Sequence, residues 1–188
     1  AFENGKSVVT ANKDVVAKYG AELFPLAEAA NRDFMFEASV AGGIPILQTM
    51  KTSLAANKIT SVMGIVNGTT NYMLTKMSQE HMDYEDVLKE AQAMGYAESD
   101  PTADVGGLDA ARKAVILASI AFNTRVSLDD VQIEGIQNIG IQDIDYAEKL
   151  GYVIKLLAVA KNDPENGISV SVRPTMLPKE HPLAGVND

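Results

Sequence analysis

Cysteine is absent from the chain. Disulfides and thiolate metal sites are therefore excluded, and the composition suits a reducing cytoplasm, which is the expected location. Basic residues are scarce beside acidic ones: 16 Lys+Arg against 25 Asp+Glu leave a formal charge of -9. Such a surface repels polyanions, so the expected partners include neither nucleic acid nor a membrane, but a small molecule or another protein. No apolar run approaches the roughly 20 residues of a spanning helix, and the opening Ala1-Phe-Glu-Asn-Gly-Lys6 has no basic region followed by an apolar one, so it is not a signal peptide. His81 and His181 stand apart from each other and from suitably spaced carboxylates, and neither is given a metal role.

What is present is enough material for a core. At 188 residues and 46% hydrophobic content, the chain can form one well-buried domain or one and a half smaller ones. It begins without Met and enters a strand within a few residues, which reads as a piece of a longer protein.

Ser7-Val-Val-Thr-Ala11 is β-branched and predicts a strand. Asn12 can cap a following helix, in which Val15, Val16, Tyr19, Leu23 and Leu26 recur at helical spacing. A second strand over 33–38 completes a β-α-β unit, too small to be stable alone. From Val40 the texture changes, with a Gly-Gly-Ile-Pro turn, a helix over 46–56 and a strand over 59–66. Asn67 caps a helix through Met77, and a second helix over 83–94 turns Val87, Leu88 and Ala91 inward and ends on a left-handed Gly95. A long helix over 103–122 buries Leu108, Ala111, Val115, Ala118 and Phe122. A short helix near 145–150 precedes strands over 152–161 and 168–175, joined by a turn at 162–167. The fold class is α+β, a mixed sheet covered by helices and preceded by a partial β-α-β unit.

The chemistry is concentrated in Gly95-Tyr-Ala-Glu-Ser-Asp-Pro-Thr-Ala-Asp-Val-Gly-Gly-Leu-Asp-Ala-Ala-Arg-Lys113. Asp109 and Lys113 share a helix face, continued by Ile116 and Ile120. A solvated ion pair accounts for the spacing; a half-buried lysine poised as acid or base accounts for the apolar continuation as well. Glu98, Asp100 and Asp104 serve either as a solvated capping loop or as a holder for a cationic group; alternate-residue calcium spacing is missing. Lys13 follows a strand and starts a helix, where open α/β folds bind ligands, although a surface lysine fits equally. Glu37-Ala-Ser-Val-Ala-Gly-Gly-Ile44 is compatible with a small cation or with a plain turn.

Together, Val8-Val-Thr-Ala-Asn-Lys13, Glu37-Ala-Ser-Val-Ala-Gly-Gly-Ile-Pro45, Gly64-Ile-Val-Asn-Gly-Thr-Thr-Asn71 and the stretch from Ala91 to Lys113 closely resemble homoserine dehydrogenase. The similarity continues through Glu134-Gly-Ile136, Asp145 to Gly151, Lys155-Leu-Leu-Ala158 and His181-Pro-Leu-Ala184. That family interconverts L-homoserine and L-aspartate 4-semialdehyde with NAD or NADP, on the route to threonine, isoleucine and methionine. The resemblance implies that residues 1–40 are the end of a Rossmann-type nucleotide-binding domain and that residues 41–188 are a catalytic, substrate-binding and dimerisation domain, truncated at its C-terminus. It implies Lys113 as the acid/base and Asp109 as its orienting partner. It also implies Glu98, Asp104 and Tyr96 at the substrate, Lys13 and Gly95 at the cofactor, and Glu37 with the carbonyls of Val40, Gly42 and Ile44 around a sodium-type cation. A homodimer is expected. One departure stands out: no G-x-G-x-x-G occurs, so the fragment alone is expected to have little or no activity. Two rivals are a non-catalytic amino-acid-binding or assembly domain and an enzyme using Lys113 as a Schiff-base nucleophile.

Overall fold

The structure is a computed structural model and describes residues 1–187. Two compact units form: residues 1–62, 112–131 and 160–170 make the first, and residues 63–111, 132–159 and 171–187 the second.

In the first unit, β1 (Val8–Val9) and β2 (Phe34–Met35) pair in parallel around α1 (Lys13–Ala29), the β-α-β order expected from the sequence. The Asn12 side chain caps α1, accepting from the Asp14 and Val15 amides. The rings of Phe2, Phe24, Phe34 and Phe36 pack at centroid separations of 5.4–5.9 Å. Helix α1 buries Val16, Gly20 and Ala27, whereas Tyr19 and Leu26 of the expected apolar set are exposed.

The helix expected over 46–56 is shorter and irregular. Three α-helical residues, α2 (Ile46–Gln48), lead into a π turn at Thr49–Ser53. The Thr49 and Thr52 hydroxyls donate back to the carbonyls of Pro45 and Gln48, each at 2.7 Å, a back-bonding that bends a helix.

The second unit draws on β3 (Ser61–Gly64), α3 (Gly68–Glu80), α4 (Tyr84–Ala93), α5 (Thr102–Val105), α6 (Leu108–Ala121), β4 (Val131–Ile133), α7 (Ile141–Lys149), β5 (Tyr152–Asp163) and β6 (Gly167–Pro178). Strands β3, β4, β5 and β6 and helix α6 also contribute residues to the first unit. The sheet order is β3-β5-β6-β4, so the three expected strands do share one sheet, and the short β4 joins them. Ile154 through Ala158 of β5 are all buried, as in an inner strand covered on both faces. Met73, Leu74 and Met77 of α3, Val87 and Ala91 of α4, and Ile144 of α7 complete the core.

One expected element divides. The helix placed over 103–122 is two helices, because Gly107 takes a left-handed φ of 82° between α5 and α6. A Cβ there would also lie 3.2 Å from Ile133 and 3.3 Å from Val172 side-chain carbons. The break redirects the chain between Asp104 and Asp109.

Candidate functional site

The first residue of the site is an asparagine. Asn67 is 5% exposed and caps α3: its Oδ1 accepts from the Thr70 amide and the Thr70 hydroxyl, each at 2.8 Å. Those two donors fix the orientation of the side-chain amide, so Nδ2 faces away from the helix. There it donates to Asp104 Oδ1 at 2.7 Å and to Asp109 Oδ2 at 2.9 Å. Asp109 is 7% exposed, at the start of α6, while Asp104 on α5 is half-buried. The bend at Gly107 brings the two carboxylates, five positions apart, to the same amide.

The loop before α5 is tied to the same helix start, because the Thr69 hydroxyl donates to the Tyr96 carbonyl at 2.6 Å. Tyr96 is exposed and its ring lies 4.9 Å from that of Tyr72. Gly95 closes α4 with φ 78°, the left-handed cap expected there. Glu98 is exposed, and its carbonyl accepts from the Gln92 side chain at 3.1 Å. Asp100 has a local role: its Oδ1 accepts from the Thr102 hydroxyl at 2.6 Å and the Thr102 amide at 3.1 Å, which holds its carboxyl below the usual range. The capping alternative therefore suffices for Asp100.

Lys113 is half-buried on α6, one turn after Asp109. In the first unit the neighbouring Arg112 bonds Asp14 through Nε at 2.6 Å. That pair links the residue before Lys113 to the residue after Lys13, two lysines from motifs about a hundred positions apart. Ile116 and Ile120, which continue the Lys113 stripe, line a cleft of about 1020 Å³ within the first unit, together with Val16, Gly20, Phe24 and Leu54. None of the four singled-out carboxylates, Glu98, Asp100, Asp104 and Asp109, lines it.

Glu37 closes the start of α2, its two oxygens accepting from the Leu47 and Gln48 amides at 2.9 and 2.8 Å. The turn that follows has left-handed φ values at Ala41 (58°) and Gly42 (56°). The Ile44 carbonyl accepts from the Ile46 amide at 2.8 Å. Among the described residues no group of three or more His, Asp or Glu side chains is disposed to hold a metal.

The family model for homoserine dehydrogenase matches residues 45–188. The chain belongs to the homoserine dehydrogenase family. It is 54% identical over its whole length to the homoserine dehydrogenase of Bacillus subtilis and 56% identical, again over its whole length, to that of Corynebacterium glutamicum. It spans 43% of each of those relatives. Among solved structures, a homoserine dehydrogenase from Thiobacillus denitrificans superposes with a TM-score of 0.97 at 48% identity, over 99% of this chain and 43% of the other. A putative homoserine dehydrogenase from Archaeoglobus fulgidus gives 0.91 at 42% identity, over 98% of this chain and 56% of the other.

Two residues of this chain escaped the sequence reading. Asn67 read only as a helix cap, because its amide hydrogens point to partners 37 and 42 positions away. Lys155 read only as a strand residue, yet it is 3% exposed. Its ammonium donates to Asn71 Oδ1 (3.0 Å), Thr75 Oγ1 (3.2 Å), the Val186 carbonyl (2.6 Å) and Asn187 Oδ1 (3.4 Å). Burial lowers its pKa to about 8. A lysine inside the apolar run Val153-Ile-Lys-Leu-Leu157 was the available signal.

Proposed function

We propose that this chain is the substrate-binding and dimerisation part of an NAD(P)-dependent homoserine dehydrogenase, with residues 1–40 closing the nucleotide-binding domain and residues 41–188 forming the catalytic domain. The observation that carries the reading is the Asn67–Asp104–Asp109 cluster: two motif segments distant in sequence converge on one largely buried, acidic group of side chains.

In this reading Lys113 exchanges a proton with the hydroxyl of L-homoserine, and Asp109, one helical turn away, orients it. Glu98 and Asp104 hold the substrate ammonium, and Tyr96 borders the same place. Carboxylates give an amino-acid ammonium charge-assisted hydrogen-bond acceptors. Lys13 and the Gly95 backbone face the cofactor.

The cofactor's pyrophosphate finds no seat on these residues. The start of α1 is closed by Asn12, which already takes the Asp14 and Val15 amides, and the sequence has no G-x-G-x-x-G. The 188-residue chain alone is therefore inactive or nearly so, and turnover belongs to the full-length parent in the cytoplasm, in threonine, isoleucine and methionine synthesis.

A sodium-type cation sits on Glu37 and the carbonyls of Val40, Gly42 and Ile44. The Glu37 carboxylate keeps lone pairs beyond those used by the two amides, and the left-handed turn at 41–42 re-aims the backbone. Homodimerisation uses the sheet, where Met63, Ile133, Tyr152 and Met176 leave an exposed apolar side chain on each of β3, β4, β5 and β6. No helix among the described residues is long and apolar enough to cross a membrane.

The test is homoserine-dependent reduction of NAD or NADP by the full-length parent beside the 188-residue chain. Turnover by the parent alone is expected; no turnover by the parent overturns the reading, and equal turnover by the two overturns the assignment of cofactor anchoring elsewhere.

A further inference from the structure

We propose that Gly135 is a positioning residue: the Glu134-Gly-Ile136 segment is a backbone strap that ties β6 to α5 and sets where Asp104 stands, and a glycine at its centre is what lets the strap lie close enough. The proposal rests on the functional reading above in taking Asp104 to hold the substrate ammonium.

Helix α5 has four residues, too few to hold its own place. Its position comes from what it touches. On one side Asn67 donates to Asp104 Oδ1 at 2.7 Å. On another the Ile136 amide donates to the Val105 carbonyl at 2.8 Å, and two residues earlier the Glu134 amide donates to the Val172 carbonyl on β6, also at 2.8 Å. The strap therefore carries the position of the sheet directly to the residue after Asp104. Ile136 and Val105, the two ends of that bond, are 0% and 4% exposed, so the bond is shielded from water.

Between these bonds the two backbones meet without side chains. A Cβ on Gly135 would fall inside contact distance of the Val105 carbonyl oxygen and 2.7 Å from the Gly106 Cα, both backbone atoms that no rotamer change can move aside. At Gly106 a Cβ would lie 2.6 Å from the Thr102 carbonyl oxygen. Neither glycine has a left-handed φ, so this place asks for room and not for conformational freedom. A contact of backbone on backbone has no soft side chain to absorb a displacement, so a shift of the strap is passed on to α5. Moving a binding group by about 1 Å can cost on the order of 10²-fold in rate.

The first measurements need no activity and use the 188-residue chain. Exchange of the Ile136 amide proton is expected to be as slow as that of the buried β5 amides; exchange as fast as in an open loop overturns the strap. Gly135→Ala is expected to shift the NMR signals of the Asn67 side-chain amide, which report the place of Asp104; unmoved signals in the folded variant overturn the coupling. The kinetic measurement uses the full-length parent. Gly135→Ala is expected to raise KM for L-homoserine about tenfold with kcat within about threefold of wild type, a split that simple loss of stability does not produce. The loss in kcat/KM is expected to vanish in an Asp104→Ala background, because the strap acts through that residue. If Gly135→Ala does not fold, Glu134→Pro replaces it: it removes the bond to Val172 without adding bulk beside α5, and the same rise in KM is expected. An unchanged KM, or an equal loss in both backgrounds, overturns the positioning role. A wild-type parent that never turns over homoserine refutes the functional reading instead, and the amide exchange and Asn67 signals still decide the strap.

Discussion

Helix α3 carries two buried polar clusters, and they are built on opposite plans. At its first turn, Asn67 joins two carboxylates through one neutral amide. One and two turns later, Asn71 and Thr75 meet the buried ammonium of Lys155, whose other acceptors are the Val186 carbonyl and Asn187. The ammonium has three hydrogens and four neutral oxygens around it, so nothing remains to offer a ligand. The carboxylates accept one hydrogen each from Asn67. Burial alone does not separate a support from a site; the two clusters differ in the sign of the charge they carry.

Breaking the acidic cluster has the largest expected effect. Asp109→Ala in the full-length parent should lower kcat/KM for homoserine about a hundredfold, with the thermal midpoint little changed, if Asp109 orients Lys113 as proposed. A loss confined to stability would move Asp109 into the same class as Lys155.

Breaking the cationic cluster should show the reverse. Lys155→Met removes the donor from buried oxygens on α3 and on the terminal segment, and should cost about 1–3 kcal/mol in urea unfolding of the 188-residue chain. In the parent, kcat per folded molecule should be unchanged.

The same lysine gives the comparison a pH signature. Its pKa falls from 10.5 to about 8 on folding, so between those values the unfolded chain binds more protons and stability rises with pH. Below pH 8 both states are protonated and the full penalty of burying the charge is present; across the window above it, stability climbs by at most about 1.4 kcal/mol per pH unit. Urea midpoints measured from pH 7 to 10 should climb in wild type and lose that slope in Lys155→Met.

The smallest effect is expected at the half-exposed Asp14–Arg112 pair. Asp14→Asn should change stability by about 0–1 kcal/mol. A much larger loss would show that this contact between α1 and α6 supports the first unit as strongly as Lys155 supports the second.

The sequence made these clusters legible to different degrees. Asp104 and Asp109 announced themselves by charge density, and Gly95 and Asn12 by turn and cap chemistry that acts within a few residues. The β-α-β unit and the three sheet strands followed from periodicity. The amide bridge did not, because its partners lie 37 and 42 positions from Asn67 and only the folded chain brings them together. The break at Gly107 was missed because helical apolar spacing runs across it, and a Gly-Gly pair states permission for a bend without stating that one occurs. The π turn after α2 was missed for a related reason, since back-bonding threonines distort a helix without changing its periodicity. Tyr19 and Leu26 were misread because periodicity names an apolar face, while packing on Gly20 and Val16 decides which flank of it is covered.

The central proposal is that α6 carries an acid/base lysine one turn beyond the aspartate that orients it. Steady-state oxidation of L-homoserine by the full-length parent carrying Lys113→Ala tests it most directly. The account predicts a fall in kcat of about 10²–10⁴-fold, with the thermal midpoint and cofactor affinity close to wild type. A kcat within a few-fold of wild type would contradict it.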